Sequence, residues 1–322
     1  MRPLRAGVVG VGRLGAAHAR LLAESPRFEL VGVSDLDGDR AATIARANGV
    51  TAFPVDGLCD TVDAVVVAVP TSAHGEIGGR ALEAGCHVLI EKPLAGTVDE
   101  AAALVRLARE RDRILGVGHV ERFNGILMAC DPWLTRPRYL ESLRLAPFQD
   151  RGTDVTVVLD LMIHDIDLVL ALAGGGPVEV DAVGVPVITG SIDIANARLA
   201  FESGTVANIT ASRVSTRRLR QLRLFQKSGY FSLDLAAGTG EHLHRTERSS
   251  AGVAGIEDLV ERVPLVPVEG EPLFRELEAF AAAIRGEPSR LVRGEQALEA
   301  LDVAIRITRE IEEFAHVVAQ DP

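Results

Sequence analysis

A lysine and a proline follow one of the apolar runs in the first half of the chain. The run H-V-L-I-E-K-P-L begins at His87 and places Lys92 directly after a segment typical of buried parallel strands. The carboxyl end of such a strand is the edge at which open α/β sheets bind ligands. There we expect partial desolvation to lower the pKa of Lys92 toward the range useful for proton transfer, while Pro93 stiffens the turn. The alternative is a lysine that extends from a strand end into water.

A carboxylate and an imidazole recur at helical spacing in a long apolar stretch. The stretch Val155–Ala173 is predicted to be a helix, and on it Asp160, His164 and Asp167 fall within one narrow arc. Asp165 points away from that arc. A thin polar stripe on an otherwise apolar helix is typical of a cleft wall rather than a solvated face. The alternative is a histidine buried in a hydrophobic core.

A glycine pattern near the N-terminus predicts a dinucleotide site. Gly10, Gly12 and Gly15 form G-x-G-x-x-G around Arg13 and Leu14, after a predicted strand and at the start of a predicted helix. The first glycine permits a tight turn, the second lets the backbone approach a pyrophosphate, and the third lets the helix pack on the strand. The helix N-terminus then faces the phosphates. A glycine-rich structural turn without a ligand is the alternative.

An acidic residue at the end of the second predicted strand favours NAD over NADP. Asp35 lies about twenty residues past Gly15, where a carboxylate can hydrogen-bond both ribose hydroxyls and repel a 2′-phosphate. Arg40 lies close enough to weaken that preference. The predicted cofactor is therefore NAD.

These residues together predict hydride transfer from a secondary alcohol to a nicotinamide. Lys92 would hydrogen-bond the alcohol oxygen and stabilise developing alkoxide charge. His164 would accept or relay the hydroxyl proton, and Asp160 would orient the substrate or the imidazole. Whether Lys92 or His164 is the formal base stays open.

The order of the elements predicts an α/β fold with two domains. Residues 4–118 alternate apolar runs with amphipathic stretches, which predicts a Rossmann domain with a doubly wound parallel sheet over residues 1–123. Residues 124–322 are predicted to form an α+β domain, with a mainly antiparallel sheet and two closing helices near Pro272–Arg285 and Gly294–Glu313. The C-terminal helix is expected to pack back on the first domain. The polar, glycine-containing segment 237–262 is predicted to be a mobile excursion.

Composition limits the classes of partner that we expect and indicates the cellular location. A net charge of -11 argues against binding to nucleic acid, whose phosphates need a basic surface. Cys59, Cys86 and Cys130 have neither paired nor metal-like spacing, which predicts a cytoplasmic protein without a metal site. The apolar run Ala64–Pro70 is too short to span a bilayer, so no membrane partner is expected.

Four segments in combination resemble the glucose–fructose oxidoreductase, inositol dehydrogenase and rhizopine-catabolism (Gfo/Idh/MocA) family over nearly the whole chain. They are G-V-V-G-V-G-R-L-G-A-A-H-A-R from Gly7, V-A-V-P-T-S-A-H from Val67, E-K-P-L-A from Glu91 and Asp160-x-x-x-His164. The resemblance implies that Lys92, Asp160 and His164 line the active site. It also implies a dinucleotide bordered by Val69, Pro70, Thr71, His74, Glu91, Lys92 and Pro93. The second domain would then be an open-faced sheet of the kind that forms homodimers or homotetramers.

The substrate implied by the resemblance is a sugar nucleotide. The segment G-H-V-E-R-F-N, Gly118 to Asn124, resembles family members that oxidise the ring 3-hydroxyl of UDP-N-acetylglucosamine. Arginines crowd one stretch of predicted sheet: Arg213, Arg217, Arg218, Arg220 and Arg223. Arg218 and Arg220 would share one strand face, and a guanidinium pair suits a diphosphate. Contacts with the substrate are predicted for Arg122, Asn124 and Arg213.

Three alternatives remain open from the sequence. The arginines could form a basic strand that faces solvent or an acidic partner. The enzyme could instead be an inositol or free-sugar dehydrogenase, although a neutral polyol needs no cationic pocket. The chain could also be a non-catalytic, dinucleotide-binding regulatory protein, an interpretation that the presence of Lys92, Asp160 and His164 disfavours.

Overall fold

The chain forms two compact units in a computed structural model that describes residues 2–148, 156–246 and 259–320. The first unit comprises Met1–Phe123 and Gly270–Leu301, and the second comprises Asn124–Glu269 and Asp302–Pro322. The predicted second domain, 124–322, therefore needs a correction: Gly270–Leu301 belongs with the first unit. The cause is the apolar face of the helix at Pro272–Ile284, which packs in the hydrophobic core of the first unit.

A parallel sheet of six strands forms the centre of the first unit. The strands are β1 (Leu4–Val9), β2 (Phe28–Ser34), β3 (Thr51–Ala52), β4 (Ala64–Val67), β5 (His87–Glu91) and β6 (Leu115–Gly118). Their order in the sheet is β3-β2-β1-β4-β5-β6, which confirms the predicted doubly wound Rossmann fold. The order reverses between β1 and β4, so ligands are expected beyond the carboxyl ends of these strands.

Helices cover both faces of this sheet. Within the described residues they are α1 (Arg13–Glu24), α2 (Gly38–Ala47), α3 (Val55–Cys59), α4 (His74–Glu83), α5 (Val98–Glu110) and α8 (Pro272–Ile284). The N-termini of α2 and α5 are capped by side chains that accept backbone hydrogen bonds, Asp37 from the N–H of Arg40 and Thr97 from that of Glu100. The fully buried Phe280 of α8 lies 6.4 Å from Phe28, centroid to centroid, which fixes α8 in the first unit.

A sheet of eight strands forms the second unit. The strands are β7 (Tyr139–Leu145), β8 (Pro177–Val185), β9 (Ile194–Phe201), β10 (Val206–Ser212), β11 (Leu219–Gln226), β12 (Gly229–Asp234), β13 (Thr239–Arg245) and β14 (Val260–Pro264). Their order is β14-β13-β12-β11-β7-β10-β9-β8. Neighbours are antiparallel except for β7 and β10, which are parallel, so the prediction of a mainly antiparallel sheet is confirmed.

The prediction of a mobile excursion over residues 237–262 was wrong for part of that segment. Strand β13 pairs with β12 along its whole length, and β14 pairs with β13. Residues 247–258 lie outside the described residues. The composition of these strands explains the error: β13 has a single apolar residue, Leu243, and β14 is the edge strand of the sheet, so neither has a buried apolar alternation.

The remaining helices of the second unit include the predicted polar stripe. They are α6 (Gly125–Met128), a π-helical turn at Val158–Met162 that continues into α7 (Ile163–Ala173), and the later part of α9 (Gly294–Gln320). Helix α7 ends at Gly174, whose φ of 82° is the left-handed conformation that favours glycine after a helix. Val155, the predicted first residue of this helix, lies outside the described residues. No described helix is long and apolar enough to cross a membrane.

Candidate active site

The glycine loop between β1 and α1 has the geometry that a dinucleotide needs. Gly10 has a φ of 84°, and a Cβ atom there would lie 2.7 Å from the carbonyl of Ala68. A Cβ atom on Gly15 would collide with the carbonyl oxygen of Gly10, whereas one on Gly12 would meet nothing within 4 Å. The loop is therefore tightly packed beneath and open above Gly12. Because Gly12 has no side chain to cap α1, the N–H groups of the first turn face that open space.

Asp35 follows β2 beside the glycine loop. Its Oδ2 accepts a hydrogen bond from the N–H of Val11 at 2.8 Å, and its Oδ1 accepts one from the N–H of Asp37 at 2.9 Å. The guanidinium of Arg40 lies 3.3 Å from the same Oδ1. The loop and the carboxylate are thus held together, and the arginine anticipated from the sequence forms an ion pair with the carboxylate. These residues fit the ribose and pyrophosphate of a dinucleotide.

Lys92 lies directly after β5, at the carboxyl edge of the sheet, and its side chain is partly buried. The preceding carboxylate, Glu91, is buried and accepts a hydrogen bond on Oε1 at 2.6 Å from Nε2 of His18 on α1. Glu91 Oε2 would lie 2.7 Å from a Cβ atom on Gly118, so the neighbouring strand must carry glycine there. The Lys92–Pro93 bond is cis. Glu91 therefore anchors the lysine-bearing turn to α1, and sequence analysis missed the contribution of His18.

The segment after β4 borders the same edge of the sheet. Val69 and Pro70 lead into a short 3₁₀ turn at Thr71–Ala73, which is followed by α4. His74, the first residue of α4, is 1% exposed. Both of its ring nitrogens lie within hydrogen-bonding distance of carbonyl oxygens, Nδ1 at 2.7 Å from Pro93 and Nε2 at 2.9 Å from Val69. The sequence analysis predicts that His74 borders the dinucleotide, whereas these contacts show that its ring joins two backbone segments.

In the second unit, the π-helical turn precedes the predicted imidazole. Asp160 lies inside the turn and His164 on the first turn of α7, and both residues are partly exposed. Asp167, the third member of the predicted stripe, is 1% exposed and thus buried in this unit. A π-helical turn inside a helix is rare and occurs frequently at functional sites. The local geometry therefore supports Asp160 and His164 as site residues.

Asp165 points away from the stripe, as predicted, and attaches α7 to the sheet. Its carboxylate accepts hydrogen bonds from Nε of Arg144 at 2.6 Å and from the hydroxyl of Ser142 at 2.7 Å. The side chains of Arg144 and Asp165 are 4% and 2% exposed. This buried pair fixes the rotation of α7 on β7 and thereby the direction in which His164 points.

Replacement of Asp165 by alanine should destabilise the protein strongly. The change leaves a buried guanidinium without its carboxylate, which typically costs about 3–5 kcal/mol, and the free energy of unfolding in urea measures it. Glu141→Ala is the matched control. Glu141 lies on β7, the strand that carries Arg144, and forms a half-exposed ion pair with Arg223 at 3.0 Å. There we expect about 0–1 kcal/mol. Equal losses in the two variants would contradict the assigned role of Asp165.

Two residues predicted to bind substrate, Asn124 and Arg213, make hydrogen bonds within the second unit. The side chain of Asn124 caps α6 by accepting a hydrogen bond from the N–H of Ile126 and donates one to the carbonyl of Leu235. Arg213 is 4% exposed, and its guanidinium donates a hydrogen bond to the carbonyl of Ile192 at 3.0 Å. Its Nε also lies 3.4 Å from Asp193. Sequence patterns could not show this burial, because Arg213 follows the end of a strand where exposure is the usual outcome.

Asp193 explains why Arg213 is held there. Desolvation alone would raise the pKa of this fully buried carboxyl, but hydrogen bonds from the backbone N–H groups of three residues and from the hydroxyl of Thr189 lower it well below its usual range. The three donors are Val187, Ile188 and Thr189. The buried charge of Asp193 thus organises the loop that precedes β9, and Arg213 balances that charge.

Two other arginines remain candidates for an anionic part of a substrate. Arg220 pairs in register with Arg144, so it lies on the face of the sheet against which α7 packs. Arg218 directly precedes β11, so its place on the same face as Arg220 stays a prediction. In the first unit, Arg122 lines an open cavity of about 440 Å³ together with Arg290 and Arg293.

The parallel sheet, the glycine loop, the carboxylate after β2 and the lysine after β5 define the first unit as the nucleotide-binding part of an oxidoreductase. Both halves of the chain also match models of one protein family. Residues 4–119 match an oxidoreductase family with an NAD-binding Rossmann fold, and residues 134–232 match the GFO/IDH/MocA C-terminal domain. The chain belongs to this Gfo/Idh/MocA family, and the resemblance noted in the sequence is confirmed.

Relatives in the family cover nearly all of the chain. The chain is 40% identical over 313 residues to the UDP-N-acetylglucosamine 3-dehydrogenase of Acidithiobacillus ferrooxidans. The aligned region covers 97% of this chain and 98% of the relative. A solved structure of that enzyme has a TM-score of 0.90 at 38% identity and covers 98% and 99% of the two chains. The NAD-dependent scyllo-inositol 2-dehydrogenase of Bacillus subtilis is 29% identical and covers 95% and 93%.

Proposed function

We propose that this enzyme oxidises the ring 3-hydroxyl of UDP-N-acetylglucosamine to a ketone with NAD. Full-length similarity to the Acidithiobacillus ferrooxidans dehydrogenase carries the choice of substrate, because the inositol dehydrogenases that align over nearly the whole chain are only 29% and 26% identical. The presence of Lys92, Asp160 and His164 supports catalysis over a purely regulatory role. The glycine loop and Lys92 at one edge of one sheet support hydride transfer as the reaction.

In the proposed mechanism, two side chains act on one substrate hydroxyl. Lys92 donates a hydrogen bond to the oxygen and stabilises the negative charge that develops as the carbon–hydrogen bond weakens. His164 accepts the hydroxyl proton, and Asp160 orients the imidazole. When bound, the nicotinamide supplies the acceptor for the hydride. The buried pair of Asp165 and Arg144 holds His164 in place.

Some arginines of the chain stabilise the fold, and others are proposed to bind the substrate. We assign the diphosphate of the sugar nucleotide to Arg220, which lies on the α7 face of the sheet in the second unit. The alternative is Arg122 of the first unit, which lines a cavity together with Arg290 and Arg293. Arginine binds phosphate oxygens with two parallel hydrogen bonds. A neutral polyol would gain nothing from these groups, which favours a nucleotide-linked sugar.

A change at Asp35 should alter the choice between the two nicotinamide cofactors. We expect kcat/KM with NAD to exceed that with NADP by at least about tenfold, because the carboxylate repels a 2′-phosphate. Asp35→Ser should shift the ratio toward NADP by at least about tenfold, since Arg40 stays in place to bind that phosphate. Asp39→Ser, an exposed carboxylate on α2, is the control. An unchanged ratio in Asp35→Ser would refute this assignment.

The substrate assignment is tested by a spectrophotometric panel. NADH formation at 340 nm is measured with UDP-N-acetylglucosamine, myo-inositol and glucose, and the product is identified by mass. We expect turnover with the sugar nucleotide and a product two mass units lighter. Turnover restricted to myo-inositol or glucose would favour a polyol or free-sugar dehydrogenase. NAD binding without turnover of any carbohydrate would favour a regulatory protein.

A further inference from the structure

The ring of His74 connects two backbone segments at the carboxyl edge of the parallel sheet. One is Val69, the second residue after β4, and the other is Pro93, directly after Lys92. The two nitrogen–oxygen distances, 2.9 Å and 2.7 Å, are those of ordinary hydrogen bonds. The ring is 1% exposed, so water does not compete for either nitrogen.

Both partners of the ring are carbonyl oxygens, which only accept hydrogen bonds. A ring nitrogen can therefore bond either carbonyl only when it carries the proton, so the tautomer of the ring decides which contact is a hydrogen bond. An unpaired buried carbonyl costs a free energy comparable to that of a lost hydrogen bond. The ring thus gives the turn after Lys92 a fixed attachment to the segment after β4.

Lys92 is consequently flanked by two anchored neighbours. On its N-terminal side, the carboxylate of Glu91 is bound by His18 on α1. On its C-terminal side, the carbonyl of Pro93 is bound by His74 on α4. Helix α1 starts at the glycine loop, and α4 starts after the segment that follows β4. Helices α1 and α4 therefore each contribute one histidine to the placement of the lysine.

We propose that His74 is a positioning residue for Lys92, and that its bond from Nδ1 to the carbonyl of Pro93 is the one that matters for turnover. The bond from Nε2 to Val69 serves mainly to hold the ring. The inference rests on the proposed role of Lys92 in hydride transfer. It concerns the position of the ammonium, because both ring nitrogens of His74 contact backbone carbonyls.

Two replacements separate the two halves of the contact. The amide nitrogen of asparagine at position 74 falls near the place of Nδ1, so His74→Asn keeps a donor for Pro93 and loses the donor for Val69. The longer glutamine places its amide nitrogen near Nε2, so His74→Gln keeps the donor for Val69 and loses the one for Pro93. The two variants have nearly equal polarity, which makes each the control for the other.

The first readout is steady-state kinetics with NAD and UDP-N-acetylglucosamine. A small misplacement of a catalytic group lowers the reaction rate strongly, so we expect kcat of His74→Gln to fall by at least about tenfold. His74→Asn should stay within about threefold of the wild type in kcat, and both variants should bind NAD within about threefold. A purely structural role would instead lower the melting temperature of both variants and affect NAD binding and kcat together.

The second readout does not depend on turnover. The chain contains two lysines, Lys92 and Lys227, and the exposed Lys227 serves as an internal reference. Acylation by acetic anhydride, followed by peptide mass spectrometry, gives the ratio of labelling at the two sites. We expect His74→Gln to change this ratio by at least about threefold and His74→Asn to leave it unchanged, because the local environment sets the reactivity of an amine.

These readouts distinguish failure of the inference from failure of the proposed function. If the wild type oxidises no carbohydrate, the labelling ratio still tests the position of Lys92. Wild-type kcat and an unchanged ratio in His74→Gln would overturn the proposal, as would equal losses in both variants. Should the variants not fold, NMR of the wild type labelled with ¹⁵N-histidine decides: Nδ1 of His74 must carry a proton, and an unprotonated Nδ1 would overturn the proposal.

Discussion

Replacement of Lys92 by methionine should lower kcat with UDP-N-acetylglucosamine by at least about 10³-fold and leave NAD binding nearly unchanged. Methionine keeps the length of the apolar stem but removes the ammonium, which we expect to stabilise charge only in the transition state. An interaction of that kind lowers kcat and kcat/KM together when it is lost. The glycine loop and Asp35 are untouched, so the NAD dissociation constant should change by less than about threefold.

The sequence itself offers the control for this experiment. Lys227 is the second of the two lysines, and it is exposed in the turn between β11 and β12. Lys227→Met makes the same chemical change at an exposed residue outside the proposed site and should leave kcat unchanged. A Lys92→Met enzyme with more than about a tenth of wild-type kcat would remove Lys92 from the mechanism.

The second large effect is expected at His164. His164→Gln retains hydrogen-bonding capacity but cannot accept a proton, and loss of a general base typically costs about 10²–10⁴-fold in kcat. The imidazole must be neutral to accept the hydroxyl proton. Wild-type activity should therefore fall as acid protonates the ring, and the profile of His164→Gln should lack this acidic limb. A profile of kcat/KM against pH for both enzymes measures the difference.

His244→Gln is the matched control for His164, because His244 is another partly buried histidine of the second unit, on β13. It should retain both the rate and the acidic limb of the wild type. If His164→Gln loses rate but keeps the limb, the proton acceptor is another group. Lys92, the alternative base left open by the sequence, would then take that role.

The fold of the first unit could be predicted because its strands are buried on both faces. Strand β5 begins at His87 and ends at Glu91, as predicted from an apolar run. Strands at the far edge of the second sheet escaped prediction. Strand β13 has a single apolar residue, Leu243, and its pairing depends on backbone hydrogen bonds with β12 and β14, which leave no apolar pattern in the sequence.

The site could be predicted where short motifs dictate backbone conformation. The positive φ of Gly10 and the close approach of Gly15 follow directly from the glycine pattern. Contacts between distant segments could not be predicted in the same way. The bond from His74 to Pro93 and the burial of Arg213 depend on tertiary packing, and the π-helical turn around Asp160 has no sequence signal that we recognise.

The central claim is that the ammonium of Lys92 and the imidazole of His164 act on one substrate hydroxyl. A crystal structure with NADH and UDP-N-acetylglucosamine tests it most directly. We expect Lys92 Nζ and one ring nitrogen of His164 to lie within about 3.5 Å of the 3-hydroxyl oxygen of the sugar. A complex in which the sugar contacts one of these groups while the other lies beyond the reach of any shared ligand would contradict the claim.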